Sequence, residues 1–299
     1  MAGTRKRTTS SPRQKKAGGF KLPTEKRAKI SNPWQFAYLI TGEKKIGKTS
    51  FAIEGCNEPV LQFDKPQLAY DICEVMLKTW RESMDALKEL EARAESGDFP
   101  YDRVIIDGVG EWYSMCQTAT CKHFGIDHPS EEGYAKGWHH LRDNFTDAVN
   151  RLLRLQHTAS CGIVFIAHAE WREVNIRGGG KVDKLVPNLG SRCEEIVNGK
   201  VDGWFCYDYV GENRVLVVRG DQTTGAGHRI DGRFQTTDDR QVVEIPMGNS
   251  AHEAMENFVK GFNNKLEYAT YKEMRDTNKP SKPARRASTK RGTRRNKAK

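Results

Sequence analysis

The chain has 299 residues, 49 Lys/Arg against 39 Asp/Glu, a formal net charge of +10 and a hydrophobic share of 37%, enough for one large or two small domains. No apolar run approaches the ~18 residues of a membrane-spanning helix, and no apolar stretch follows the first basic cluster as a secretory leader requires, so neither a membrane protein nor a secreted one is expected. Seven cysteines, an odd number scattered through segments that read as structured, fit reduced thiols in a cytoplasmic protein.

The charge is unevenly spread. Residues 1–31 carry ten Lys/Arg and a single acid, residues 279–299 ten more Lys/Arg and no acid, which leaves 29 basic against 38 acidic residues between them. The ends are poor in apolar residues and rich in Ser, Thr, Pro and Gly, so they are expected to be flexible cationic arms that attract a polyphosphate backbone without reading sequence. The division expected is a basic tail over 1–31, a folded core over 32–262, and the end of a C-terminal helix followed by a second basic tail over 263–299.

Within the core, the stretch from Trp34 to Gly42 reads as a strand and SFAIEGC, from Ser50, as the start of a helix. The octet that joins them, GEKKIGKT, fits the P-loop pattern GxxxxGK[ST]. Gly42 and Gly47 let the backbone wrap around phosphate oxygens, with Glu43, Lys44, Lys45 and Ile46 forming the turn and Ser50 following it. Lys48 is expected to reach the β- and γ-phosphates, and Thr49 to offer its hydroxyl to magnesium. ATP and Mg²⁺ are therefore the expected cofactors.

Apolar patterning then alternates as an α/β fold requires. Pro59 to Asp64 is a short strand, and Leu68 to Ser96 has helical spacing, with Ile72, Val75, Met76 and Trp80 on one stripe and Gly97 closing it. RVIID places three β-branched residues before Asp107, and a second helix is expected over Tyr134 to Gln156. GIVFIA is a fully apolar strand ending at His168. Further strands are expected in VDGWFCYDYV, NRVLVVRG and RQVVEIP, and a helix from Ser250 to about Arg275. Strands apolar on both faces belong in a parallel sheet covered on both sides.

Asp107, at the end of an apolar strand with a turn after it, is the expected partner carboxylate that holds magnesium from a second side, with Asp64 as competitor. His168 is placed to sense the γ-phosphate from a neighbouring strand tip. Cys116, Cys121, His123 and His128 lie within thirteen residues, but their spacing matches no common zinc finger.

The sequence of GEKKIGKT, RVIIDGVGEW and GIVFIAHAEW resembles the RecA-like P-loop ATPases of bacteriophages, in particular the short single-strand-annealing recombinases that consist of a RecA core. The resemblance implies a mostly parallel central sheet of about five strands flanked by helices. It also implies ATP hydrolysis, assembly into homo-oligomeric rings or filaments, action on single-stranded DNA in recombination, annealing or repair, and a single-strand-binding protein as a further partner in a bacterial host cytoplasm. The segment WREVNIRGGGKVDK, with Arg172, Arg177, Lys181 and Lys184 around three glycines, resembles the flexible DNA-binding loop of that group. Arg229, in GAGHRIDG, resembles a basic finger offered to a neighbouring subunit's γ-phosphate.

One feature departs from the family. The catalytic Glu usually found two residues after the Asp ending the strand that follows the P-loop helix is replaced by Pro66, in FDKP. Glu111, Glu170 and Asp64 are the carboxylates left to orient the attacking water. A nucleotide or small-molecule kinase, and a nucleic-acid-binding protein with ATP as an assembly switch and little turnover, are the alternative readings.

Overall fold

The apolar runs YLI, VII and IVF become fully buried central strands of one sheet. The computed structural model describes residues 24–26, 28–55, 59–176 and 178–277; the fold is carried by the unit that begins at Asn32. Of the expected basic arms, residues 1–23, 27 and 279–299 lie outside the described residues, as does Arg177.

Eleven strands form among the described residues: β1 (Ala37–Gly42), β2 (Val60–Gln62), β3 (Glu74–Met76), β4 (Arg103–Asp107), β5 (Gly162–Ile166), β6 (Ala169–Asn175), β7 (Lys181–Pro187), β8 (Gly203–Val210), β9 (Asn213–Val217), β10 (Gly227–His228) and β11 (Glu244–Pro246). Nine make one sheet in the order β11-β9-β8-β1-β5-β4-β2-β3, with β10 beside β8; β6 and β7 form a separate hairpin. The run from β8 to β3 is parallel, and β9, β10 and β11 add antiparallel pairs. The mixed α/β architecture of a P-loop domain is thus the one expected, with a sheet wider than five strands.

Helices α1 (Lys48–Ile53), α2 (Trp80–Ser96), α3 (Val109–Phe124), α4 (Lys136–Thr158), α5 (Ser191–Asn198), α6 (Ala251–Phe262) and α7 (Tyr271–Thr277) complete the fold. One face of the sheet is covered by Leu87, Trp112, Phe145, Leu152 and Val197 from α2 to α5. The other is covered by Phe51 of α1 and by Phe258 and Phe262 of α6. Phe258 packs against the rings of Trp34, Tyr38, Phe51, Phe205 and Phe234, so truncating it to Ala costs about 3–5 kcal/mol.

Two expected helices are shorter than their spacing suggested. Residues 74–76 are a strand at the sheet edge, paired with β2, and α2 starts only at Trp80. There Thr79 accepts from the Glu82 amide, and the Glu82 carboxylate accepts from the Lys78 amide, reciprocal capping that sets the helix start. The expected C-terminal helix breaks into α6 and α7, where Asn264 takes a left-handed conformation at φ 59°.

The chain leaves β1 toward β2, β3, β4 and β5 on one side and then crosses to β8 on the other, so β1 sits where strand order reverses. In open α/β sheets the crevice at the carboxyl ends of the strands at such a point is where ligands bind.

Candidate nucleotide-binding site

β1 ends at Gly42, which lies against β8 so closely that a Cβ would stand 2.3 Å from the Tyr207 carbonyl oxygen. Lys45 (φ 67°) and Gly47 (φ 112°) turn the loop back on itself, leaving backbone amides free to cradle an anion. Lys48 is only 5% exposed. Its ammonium donates to the carbonyls of Gly42 at 3.0 Å and Glu43 at 2.7 Å, which holds it across the mouth of the loop. Burial pulls its pKa down to about 8, against the opposing pull of Asp107, Cys206 and Glu43.

Thr49 donates its hydroxyl to an Asp107 carboxylate oxygen at 2.8 Å, joining the P-loop to the end of β4. Burial raises the Asp107 pKa, partly countered by the Thr49 hydrogen bond and the charge of Lys48. A hydroxyl and a carboxylate oxygen side by side are hard oxygen donors suited to Mg²⁺. Bound there, the ion would neutralise charge on the β- and γ-phosphate oxygens.

These groups open onto a cavity of about 540 Å³ whose walls include Lys44, Lys45, Gly47, Ser50, Asp64, Tyr70, Glu111 and His168, a volume in the range of small-molecule sites. Tyr70 is tied by its hydroxyl to Ser50 at 2.6 Å, while its ring is part of the exposed wall. Burial and the charges of Lys48 and Lys44 lower the His168 pKa, keeping the ring neutral, and its buried Nδ1 has no hydrogen-bond partner among the described residues. Asp64 and Glu111 both act electrostatically on Asp107 and on His168, so two further carboxylates face the same space.

A family model described as AAA domain matches residues 35–230, which run from the turn before β1 to just past β10. The chain belongs to the AAA domain family. Its domain is therefore of the P-loop ATPase kind, built for nucleotide binding and hydrolysis, usually with Mg²⁺. No curated protein matches the chain. Among the described residues no helix is long and apolar enough to cross a membrane.

Counted from Asp64 in the sequence, the position of the catalytic Glu of RecA-like enzymes falls on Pro66. β2 ends at Gln62, so Asp64, not Pro66, stands two residues past the strand end. Glu170 does not line the cavity, and Arg172 donates to its Oε1 through both Nε and Nη2.

The described residues of the expected flexible cationic loop belong to a hairpin. β6 and β7 pair over seven residues each, and the turn closes from the Ile176 amide to the Gly180 carbonyl. Arg172 is engaged by Glu170, Glu194 and the carbonyls of Pro187 and Leu189, and Lys181 pairs with Glu173. Lys184 lies opposite Arg172 in the register. The exposed face of the hairpin instead carries Trp171, 62% exposed.

Arg229 follows β10, which pairs with the first residues of β8, at the end of the parallel strands opposite the P-loop. It donates to Asp202 at 3.2 Å and to the Lys200 carbonyl at 2.7 Å, so within its own chain it is a clasp on the start of β8. Cys116 is buried in the core, its thiol pushed up by burial. His128 caps the short turn after α3, and His123 stacks on His140. Among the described residues no cluster of three or more His, Cys, Asp or Glu is arranged to hold a metal.

Two residues that sequence reading passed over belong to the site. Arg214, on β9, donates to the Gly248 carbonyl through Nε and Nη2, at 3.0 and 2.7 Å, and to the Ile46 carbonyl at 3.3 Å, bracing the P-loop from behind. Gln62, 1% exposed, lies on the wall beside Asp107, its register partner. Neither stands in a local motif.

Proposed function

We propose that the protein is an Mg²⁺-dependent ATPase that acts on single-stranded DNA, as a homo-oligomer, in recombination, annealing or repair. The observation that carries the nucleotide half is the P-loop lysine held across its own loop, with Thr49 bonded to Asp107 at 2.8 Å. In this reading Lys48 and the loop amides bind the β- and γ-phosphates, Thr49 and Asp107 hold the magnesium side, and His168 donates to the γ-phosphate from the tip of β5. Asp64 takes the proton of the attacking water, and Glu111 adds to the acidic wall.

The DNA half rests on chain continuity. His168 is followed at once by β6, and the Asn188 amide returns to the His168 carbonyl at 2.7 Å, so the hairpin is anchored to the phosphate-sensing strand at both ends. Trp171 stands three residues from His168 and offers a face on which a base stacks, a sequence-tolerant contact worth about 1–3 kcal/mol. The body between the tails carries nine more acids than bases, so backbone attraction is assigned to the tails, with Arg177 and Lys184 as local additions. The setting in recombination or repair, and a single-strand-binding partner, follow from the resemblance to phage recombinases.

The test is ATP turnover with and without single-stranded oligonucleotide, with duplex as control. Stimulation by the single strand, lost in Trp171→Ala, supports both halves. Turnover that no nucleic acid alters, with no retention of the protein on oligonucleotide, removes the DNA half and leaves an ATPase.

A further inference from the structure

The P-loop borders two cavities. Gly47 and Lys48 line the nucleotide cavity, whereas Ile46, Arg214 and Gly248 line a second one of about 500 Å³, with Lys45 common to both. The peptide between Ile46 and Gly47 therefore crosses from one cavity to the other. No peptide bond is cis among the described residues, so the Ile46 carbonyl and the Gly47 amide point in opposite directions from one rigid plane. Arg214 holds the carbonyl end: its Nη1 donates to the Ile46 oxygen at 3.3 Å and would stand 3.1 Å from a Cβ on Gly47. With the carbonyl drawn toward Arg214, the Gly47 amide faces away from it, and among the described residues it donates to nothing. The far end of the grip is fixed. Nε and Nη2 of Arg214 donate to the Gly248 carbonyl at 3.0 and 2.7 Å, and its own carbonyl accepts from the Met247 amide at 2.9 Å. The Asn249 amide donates to Glu253 at 2.9 Å, fastening the same segment to α6. The hydrogen bonds of the guanidinium thus go to two backbone carbonyls, and no carboxylate pairs with it among the described residues. A planar fork aimed at two carbonyls fixes the orientation of each, which a single-point donor cannot do.

We infer that Arg214 is a positioning residue for phosphate binding: by holding the Ile46 carbonyl it keeps the Gly47 amide turned into the nucleotide cavity, where that amide donates to a phosphate oxygen. The inference rests on the nucleotide-binding reading. Arg214 acts through one peptide plane and touches no phosphate itself. Its loss frees the Ile46–Gly47 peptide to rotate, so the amide must be turned back each time a phosphate binds.

The test compares full-length parent, Arg214→Met, Arg214→Lys and Lys48→Ala in equilibrium binding of MgATP and of inorganic tripolyphosphate, with the Gly47 amide resonance followed by NMR in isotope-labelled protein. Arg214→Met keeps an unbranched stem and loses every donor, so affinity for both ligands is expected to fall about tenfold, the scale of one charge-assisted hydrogen bond. The downfield shift that tripolyphosphate induces at the Gly47 amide of the parent should shrink with it. Arg214→Lys keeps one donor that cannot span both carbonyls, and both readouts should lie between the parent and the Met variant. A Met variant with parental affinity for tripolyphosphate overturns the inference. So does one whose affinity falls while the Gly47 response stays parental, which marks a brace of the fold alone. Should Arg214→Met fail to fold, Arg214→Lys decides: weaker tripolyphosphate binding with a smaller Gly47 response supports the inference, and parental values overturn it. If the parent binds neither ligand, or Lys48→Ala binds both as the parent does, the nucleotide-binding reading itself falls.

Discussion

Raising the pH should weaken nucleotide binding through one lysine. In the nucleotide-free chain Lys48 has a pKa lowered to about 8, chiefly by burial. Phosphate oxygens placed against its ammonium favour the charged form, so the pKa in the complex is higher than in the free chain. Binding then draws a proton onto Lys48: affinity is full below the free-state pKa and is lost as pH rises through it. With a pKa near 8, about 90% of the lysine is charged at pH 7, about 9% at pH 9 and about 3% at pH 9.5. Apparent affinity should fall about thirtyfold between pH 7 and 9.5, or about 2 kcal/mol. The γ-phosphate's own last proton, with a pKa of about 6, is already gone in this window. Equilibrium titration with a fluorescent ATP analogue, at constant ionic strength and in steps of half a pH unit, measures the slope. A flat affinity up to pH 9.5, or the same slope in Lys48→Met, refutes the reasoning.

Gly42→Ala places a Cβ 2.3 Å from the Tyr207 carbonyl oxygen; β1 and β8 must separate, and a stability loss of about 1–3 kcal/mol or more, read by thermal melting, should accompany loss of nucleotide binding. Asp107→Asn keeps an acceptor for Thr49 but removes the charge, so kcat should drop about a hundredfold with a smaller change in ATP affinity. Because burial raises the Asp107 pKa, the folded state favours the uncharged form, the parent loses stability as pH rises through that raised pKa, and the Asn variant should melt no lower than the parent at pH 7. Arg229→Ala breaks a pair whose arginine is 60% exposed, costing under about 1 kcal/mol and leaving nucleotide binding in its own chain intact. If the residue also serves a neighbouring subunit, DNA-stimulated turnover falls and mixing with Lys48→Ala restores part of it; parental turnover leaves Arg229 as the Asp202 clasp alone.

The P-loop, the Asp107 strand and the α/β class were legible in the sequence because each is written in adjacent residues. A glycine-bounded octet with Lys48 and Thr49 in place dictates its own backbone turn and chemistry, and Val104, Ile105 and Ile106 before Asp107 announce a buried strand with a polar end. Where a residue's meaning depended on a distant partner, the sequence was silent or misleading. The apolar spacing of Ile72 to Trp80 suits a helix until the free edge of β2 is available to pair with residues 74–76. Arg172 reads as a free cation until Glu170 and Glu194 close on it. Arg214 lies far along the chain from the P-loop and reaches it only because β9 runs back antiparallel to β8. Gln62 joins the cavity wall only once β2 pairs with β4 and sets it beside Asp107. Local sequence specified the P-loop, since a cradle of backbone amides is a short-range structure; tertiary packing decided which remaining polar groups are already paired and which line the cavity, since that depends on desolvation and on partners that only the folded sheet brings within hydrogen-bonding distance.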